Sequence, residues 1–159
     1  MRRDTEASGI VKEVACMLAI PITVFGLYVI LHGHLTPGGG FAGGAVMATL
    51  IALFMVSFSR EMVKRGVRKG PLSLSESLGL LAFIGLAFLG ISAAFFYNFL
   101  ANSGLFFGMP VAFGINPGSL ATGGTAPLMN LAVGLEVFSG LSLIVLLMAR
   151  YKPGGKSHG

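Results

Sequence analysis

Glu136 is the residue of this sequence best placed to do chemistry. It lies nine residues past Pro127, and it carries the one charge in residues 128–149. Read as helix, nine residues advance about 13 Å, close to the middle of a hydrocarbon core ~30 Å thick. A carboxylate at that depth is expensive and by default marks an ion or proton site. Ala132, Ser139 and Gly140 share its helix face at spacings of three and four. Such a small, slightly polar face suits close helix contact or a wet cavity. The plainer role for Glu136 is a protonated side chain that bonds a neighbouring helix.

His32 and His34 form a second group, followed at once by Thr36-Pro37-Gly38-Gly39-Gly40-Phe41-Ala42-Gly43-Gly44. A histidine changes charge near neutral pH and can relay protons; otherwise it is an interfacial side chain touching water or a backbone carbonyl. Gly38, Gly40 and Gly43 satisfy G-x-G-x-x-G, but no strand precedes them, so the dinucleotide reading fails. No Lys-Ser/Thr ending of a phosphate loop follows. Two readings remain. Gly39–Gly43 and Gly40–Gly44 are small-xxx-small pairs for close helix packing. Alternatively, the stretch is an unwound half-helix whose backbone lines an ion path.

The elements that hold these residues follow from the charge distribution. The 159 residues include 11 Lys+Arg and 6 Asp+Glu, 11% of the chain, against roughly a quarter in soluble domains. Residues 14–59 and 77–135 contain no Asp, Glu, Lys or Arg. A water-exposed helix needs a polar face, so runs of this length belong in a bilayer. Four segments reach the roughly 20 apolar residues that a span requires: 14–31, 41–58, 78–100 and 128–149. None shows strand alternation. The fold class is therefore all-α, an integral membrane protein with four transmembrane helices in one domain over 1–159.

The basic residues orient it. Arg2, Arg3 and Lys12 precede the first span. Arg60, Lys64, Arg65, Arg68 and Lys69 lie between the second and third, and Arg150, Lys152 and Lys156 end the chain. The other two linkers carry none, so both termini are expected on the cytoplasmic side, in the cell membrane. The net charge of +5 then reports topology and gives no reason to expect nucleic acid. Acidic residues in the basic N-terminal region and three later spans argue against a cleaved signal peptide.

Punctuation gives further expectations. Ser73-x-x-Glu76 has capping-box spacing before the third span, which makes Glu76 a capping residue. Thr36-Pro37 and Ala126-Pro127 suggest a cap with proline in the first helical turn. Pro21 should kink the first span. Arg150 and Lys152 suit the last helix's C-terminal end. Ala45, Ala48 and Ala52 in the second span, and Gly85, Ser92 and Ala93 in the third, suggest packing faces. Tyr97 and Asn98 are expected as interfacial anchors, and Cys16 as buried. The basic linker suits lipid headgroups or a docking partner. The uncharged stretch 101–126 either lies along the interface or dips into protein at membrane depth. The sequence contains no metal-ligand cluster and no nucleophile–base constellation, so no catalytic residue and no metal site are assigned. A self-contained small exporter is disfavoured, with no acid inside the first span and no Trp.

The run from Gly26 to Phe41, with its core His32-Gly33-His34-Leu35-Thr36-Pro37-Gly38-Gly39-Gly40-Phe41, resembles the signature of the B subunit of multisubunit sodium/proton antiporters of the Mrp or Mnh type. Gly123-Gly124-Thr125-Ala126-Pro127-Leu128-Met129-Asn130 and Gly134-Leu135-Glu136-Val137 are similar to its C-terminal half. The resemblance extends to the related subunit of archaeal membrane-bound hydrogenase and sulfur-reductase complexes. It implies a four-helix subunit working among other antiporter-type membrane subunits, with sodium ions and protons as the species moved and no cofactor of its own. The absence of the extra domains found in fused forms fits a stand-alone B-type protein. Carried onto this chain, it implies ion-path roles for His34 and Glu136. Thr36, Pro37, Gly38, Gly39, Gly40, Phe41, Gly43 and Gly44 would shape the turn and pack on neighbours. The alternative is a purely structural scaffold subunit.

Overall fold

The computed structural model describes residues 7–58, 63, 66–91, 93–111 and 119–150. Among the described residues, four helices are long and apolar enough to cross a membrane: α1 (Gly9–Leu31), α2 (Gly39–Ser57), α3 (Lys69–Leu89) and α4 (Ala126–Arg150). Among the described residues there is no strand. A short 3-10 turn, Leu120–Thr122, precedes α4.

The boundaries have local causes. Ser8 caps α1, its hydroxyl accepting from the amide of Val11 at 3.5 Å. After Leu31 the chain folds back through a turn in which the amides of Leu35 and Thr36 both donate to the His32 carbonyl, at 2.8 and 2.9 Å. Gly38 is the N-cap of α2 at φ 137°, in the region where glycine avoids the Cβ clash of other residues. Pro71 is the third residue of α3, inside the first turn, where a missing amide proton costs no helical bond. Gly90 ends that helix. The Thr125 carbonyl accepts from the amide of Met129 at 3.0 Å, and Pro127 is the second residue of α4.

The helices form a row and not a closed bundle. Extensive packing joins α1 to α2, α2 to α4 and α4 to α3, while α1 meets α4 only over a small area. α4 is thus sandwiched between α2 and α3. Contacts of Gly40 with Gly134 and of Gly44 with Phe138 show α2 and α4 running parallel. Glu76 meeting Gly140, and Gly79 meeting Ala132, show α3 and α4 antiparallel. The start of α1 and the end of α4 consequently lie on one side along the helix axes, and the 32–38 turn lies on the opposite side. Large apolar side chains face outward along the row, among them Met17 (74% exposed), Leu81 (66%) and Met148 (73%). Outward apolar surface is what a helix in lipid or against a partner subunit presents.

Several expectations are corrected. The third span is 69–89 and not 78–100. The reading of Ser73 and Glu76 as a capping box fails for that reason: both sit inside α3, and the Ser73 carbonyl accepts from Ser77 at 3.0 Å. Thr36 does not cap α2; its hydroxyl closes the turn on the His32 carbonyl at 3.1 Å. α2 is continuous helix from Gly39, so the glycine stretch is not an unwound half-helix. Cys16 is exposed. Arg2, Arg3, Arg60, Lys64, Arg65, Ser92, Lys152 and Lys156 lie outside the described residues, as does the side chain of Arg150.

Candidate functional site

Two contacts of α4 organise the site. On one side its backbone closes on α2 through glycine. A Cβ at Gly40 would meet the Asn130 carbonyl and lie 2.9 Å from the Gly134 nitrogen; one at Gly44 would lie 2.7 Å from the Gly134 carbonyl. α1 joins at the same level. A Cβ at Gly43 would fall 2.6 Å from the Gly26 carbonyl, and one at Gly134 would fall 2.7 Å from the Ile30 side chain. Gly39, Gly40, Gly43 and Gly44 are all buried. Ile30, 3% exposed, fills the space the glycines leave. This crossing admits no larger residue without a shift of backbone, because the opposing atoms are main chain.

The other side of α4 carries Glu136 and meets α3. Gly79 lets the helices approach: a Cβ there would lie 2.9 Å from both the Ala132 carbonyl and the Glu136 nitrogen. Ala132 (7% exposed) and Ser139 (0%) are buried in this seam. The hydroxyls of Ser75 and Ser139 lie 2.6 Å apart, and the Ser75 hydroxyl is also 3.0 Å from the Leu72 carbonyl. Glu136 is half-buried. Half-buried Glu76, on α3, reaches back across the seam, its Oε1 lying 3.2 Å from where a Cβ on Gly140 would stand.

The third polar group is at the helix ends beside the 32–38 turn and the start of α4. His32 stacks on Tyr28 with ring centroids 4.0 Å apart, and its Nδ1 lies 3.0 Å from the Tyr28 carbonyl, so it belongs to the cap of α1. His34 points elsewhere. It lies against Gly123, where a Cβ would come within 2.8 Å of its Cδ2. Both of its ring nitrogens are buried without a hydrogen-bond partner among the described residues. Around it, Asn98 ties the loop to α4: its Oδ1 accepts from the Thr125 amide at 2.8 Å and the Thr125 hydroxyl at 3.0 Å. Asn130 Oδ1 accepts from the Gly40 amide at 3.4 Å.

The structure therefore separates the two candidate ion-path residues. His34 is at the level of Gly123 and the start of α4. Glu136 lies some ten residues deeper, about 15 Å along the axis, on the side facing α3. Of the turn residues, Thr36, Pro37 and Gly38 are exposed and so is Phe41, at 65%, so the Phe41 ring has little of this chain to pack against. Among the described residues no three His, Cys, Asp or Glu side chains converge to hold a metal ion.

Reading the sequence missed Glu76 and Ser75 as seam residues, Asn98 as a tie, and Asn130 as a partner of the glycine turn. Pro71 was the available signal for Glu76: proline favours the first turn of a helix, which puts residue 76 a turn and a half inside. Asn98 left no signal, since its partners are 25 and 27 residues away.

The sequence and the fold have known relatives. The family described as the domain related to the MnhB subunit of Na+/H+ antiporters matches residues 10–143. An uncharacterized protein of Methanocaldococcus jannaschii is 33% identical over 146 residues, which is 91% of this chain and 53% of that protein. The mnhB2 protein of Staphylococcus saprophyticus is 35% identical over 58 residues, covering 36% of this chain and 41% of that one. A chain in the structure of the membrane-bound sulfane sulfur reductase, an archaeal respiratory membrane complex, superposes with a TM-score of 0.72 at 28% identity, over 92% of this chain and 60% of that chain. The chain spans about half the length of the curated relatives it matches.

Proposed function

The chain belongs to the family of domains related to the MnhB subunit of Na+/H+ antiporters, and from that membership we propose that it contributes to the ion path of a multisubunit cation/proton antiporter module. The observation that carries the reading is Glu136, the one carboxylate of α4, near the middle of that helix and half-buried against α3. Sodium ions and protons are the species moved. Glu136 holds a proton or cation in transit, and His34 serves the opposite end. The other antiporter-type membrane subunits are its partners, with a hydrogenase or sulfur-reductase module as the redox partner where one is attached. The chain itself carries no catalytic residue and lies in the cell membrane with both termini cytoplasmic.

The test is Glu136→Gln in the intact complex, assayed in sealed vesicles for sodium-dependent proton movement. Transport is expected to fall about tenfold or more while the amount of assembled complex is unchanged. Full transport by an assembled variant would remove Glu136 from the path.

A second reading is a scaffold subunit that carries no ion. The close approach of α2 to α4 at Gly40 and Gly44 supports it. It predicts that Glu136→Gln is silent and that only changes at the glycine crossing matter.

A further inference from the structure

On the side of the helices away from the 32–38 turn lies a cavity that the ion path leaves unused. Its volume is about 250 Å³, and it is lined by Cys16 of α1, Phe54 and Phe58 at the end of α2, and Val63, Gly66 and Val67 of the linker to α3. Phe54 and Phe58 meet edge to face, with ring centroids 5.7 Å apart. A helical turn shapes the linker, the Val67 amide donating to the Val63 carbonyl at 2.8 Å, and Val63 is buried. No lining residue carries a charge or a hydroxyl group, and the cavity opens to the outside.

The charge beside this apolar space is positive. On α1, Lys12 and Glu13 both stand about one turn before Cys16 and offset each other. The linker has no such balance. Val67 is followed directly by Arg68 and Lys69, both exposed. Arg60, Lys64 and Arg65 belong to the same stretch, outside the described residues, and Glu61 is the single acid in 60–69. The linker therefore gives apolar residues to the cavity and basic residues next to them. An apolar cavity stays dry and takes hydrocarbon. A basic cluster beside a membrane attracts anionic headgroups. A lipid with an anionic headgroup meets both requirements in one molecule.

We propose that this cavity binds an anionic phospholipid of the adjoining leaflet, with one acyl chain against Cys16, Phe54 and Phe58 and the phosphate at the basic residues of the linker. A lipid held in this way ties the α1–α2 pair to the segment that leads into α3. The site is separate from Glu136 and stands whether or not that residue carries an ion.

Cys16 is the single cysteine of the chain and is exposed, so its alkylation reads whether the cavity is filled. The intact complex, stripped of lipid in detergent, is returned to nanodiscs of phosphatidylcholine, with or without phosphatidylglycerol of the same chains. Labelling of Cys16 by N-ethylmaleimide is followed by peptide mass spectrometry. Phosphatidylglycerol is expected to slow it about fivefold or more, roughly fivefold being what one basic residue near the membrane surface contributes. Arg68→Gln/Lys69→Gln is expected to remove most of that protection. Gly66→Trp fills the cavity from the linker. A Cβ at Gly66 meets no atom within 4 Å, so the change asks nothing of the backbone. This variant is expected to label at one rate in both lipids. If it does not assemble, Gly66→Leu takes its place with the same expectation. Equal labelling of the unaltered complex in the two lipids overturns the proposal, and so does undiminished protection in the charge variant. Unchanged preference for phosphatidylglycerol in Gly66→Trp overturns it too, since the lipid then lies outside the cavity. A Cys16 that stays unreactive in the lipid-free complex does the same, because a neighbouring subunit then fills the space.

Discussion

α4 makes two helix contacts of opposite character. Towards α2 it presents Asn130, Gly134 and Phe138 to a partner whose own contact residues are glycines, and main chain meets main chain. Towards α3 it presents Ala132, Glu136, Ser139 and Gly140, and polar side chains lie between the helices. Both contacts rely on small residues to bring the axes close, so small-residue spacing alone does not distinguish them. The difference lies in what fills the remaining space: an isoleucine side chain at the first, hydroxyl and carboxyl groups at the second. One side of α4 is therefore a close joint of main chain on main chain, and the other sets half-buried carboxyl and buried hydroxyl groups between the helices.

The largest effect is expected at the joint. Gly40→Leu drives a branched side chain into the Asn130 carbonyl and the Gly134 nitrogen. Overpacking a core costs about 1–3 kcal/mol even where side chains can give way, and here the obstacle is backbone. Loss of assembled complex on a native gel checks it. Normal assembly of Gly40→Leu would show that the α2–α4 joint is plastic and erase the contrast. Glu136→Gln comes next and is expected to do the opposite, lowering transport about tenfold with assembly intact, since it changes one atom and no packing volume.

Asn98→Ala is intermediate. The side chain satisfies the buried Thr125 at the start of α4 through two hydrogen bonds, and its Nδ2 reaches the Gly123 carbonyl at 3.3 Å. Leaving such groups unpaired costs about 1–3 kcal/mol. The expected result is a lower melting temperature of the complex and faster proteolysis within 93–111. Unchanged protection there would mean that the loop is held by contacts other than Asn98.

The number and type of elements were legible in the sequence because a bilayer permits few alternatives: long uncharged runs can only be helices. The glycine crossing was legible as packing, since the four-residue spacing of Gly39, Gly40, Gly43 and Gly44 speaks directly to helix geometry. The register of α3 was not. Ser73 and Glu76 match a capping box as well as they match a helix interior, and of the local signals Pro71 alone argues for the interior. The tertiary contact with Gly140 decides, and it links residues 64 apart. The same limit hid Asn98, and it left the distance between His34 and Glu136 undetermined. The helical spacing fixed where each residue sits along its own helix but not which neighbour that helix would meet.

The smallest effect sharpens the comparison most. Ser139→Ala removes the bridge to Ser75 from a fully buried position. The Ser75 hydroxyl still has the Leu72 carbonyl at 3.0 Å, so no donor is stranded and a single hydrogen bond is lost. Such bonds between membrane helices average about 0.6 kcal/mol, which should barely move the melting temperature of the complex. A loss comparable to that of Gly40→Leu would show the seam to be clamped by its hydroxyls and as rigid as the joint. A small loss would show that Gly79, Ala132 and Gly140 hold α3 against α4 by shape. The hydroxyl and carboxyl groups would then be free to exchange partners, as groups on an ion path must.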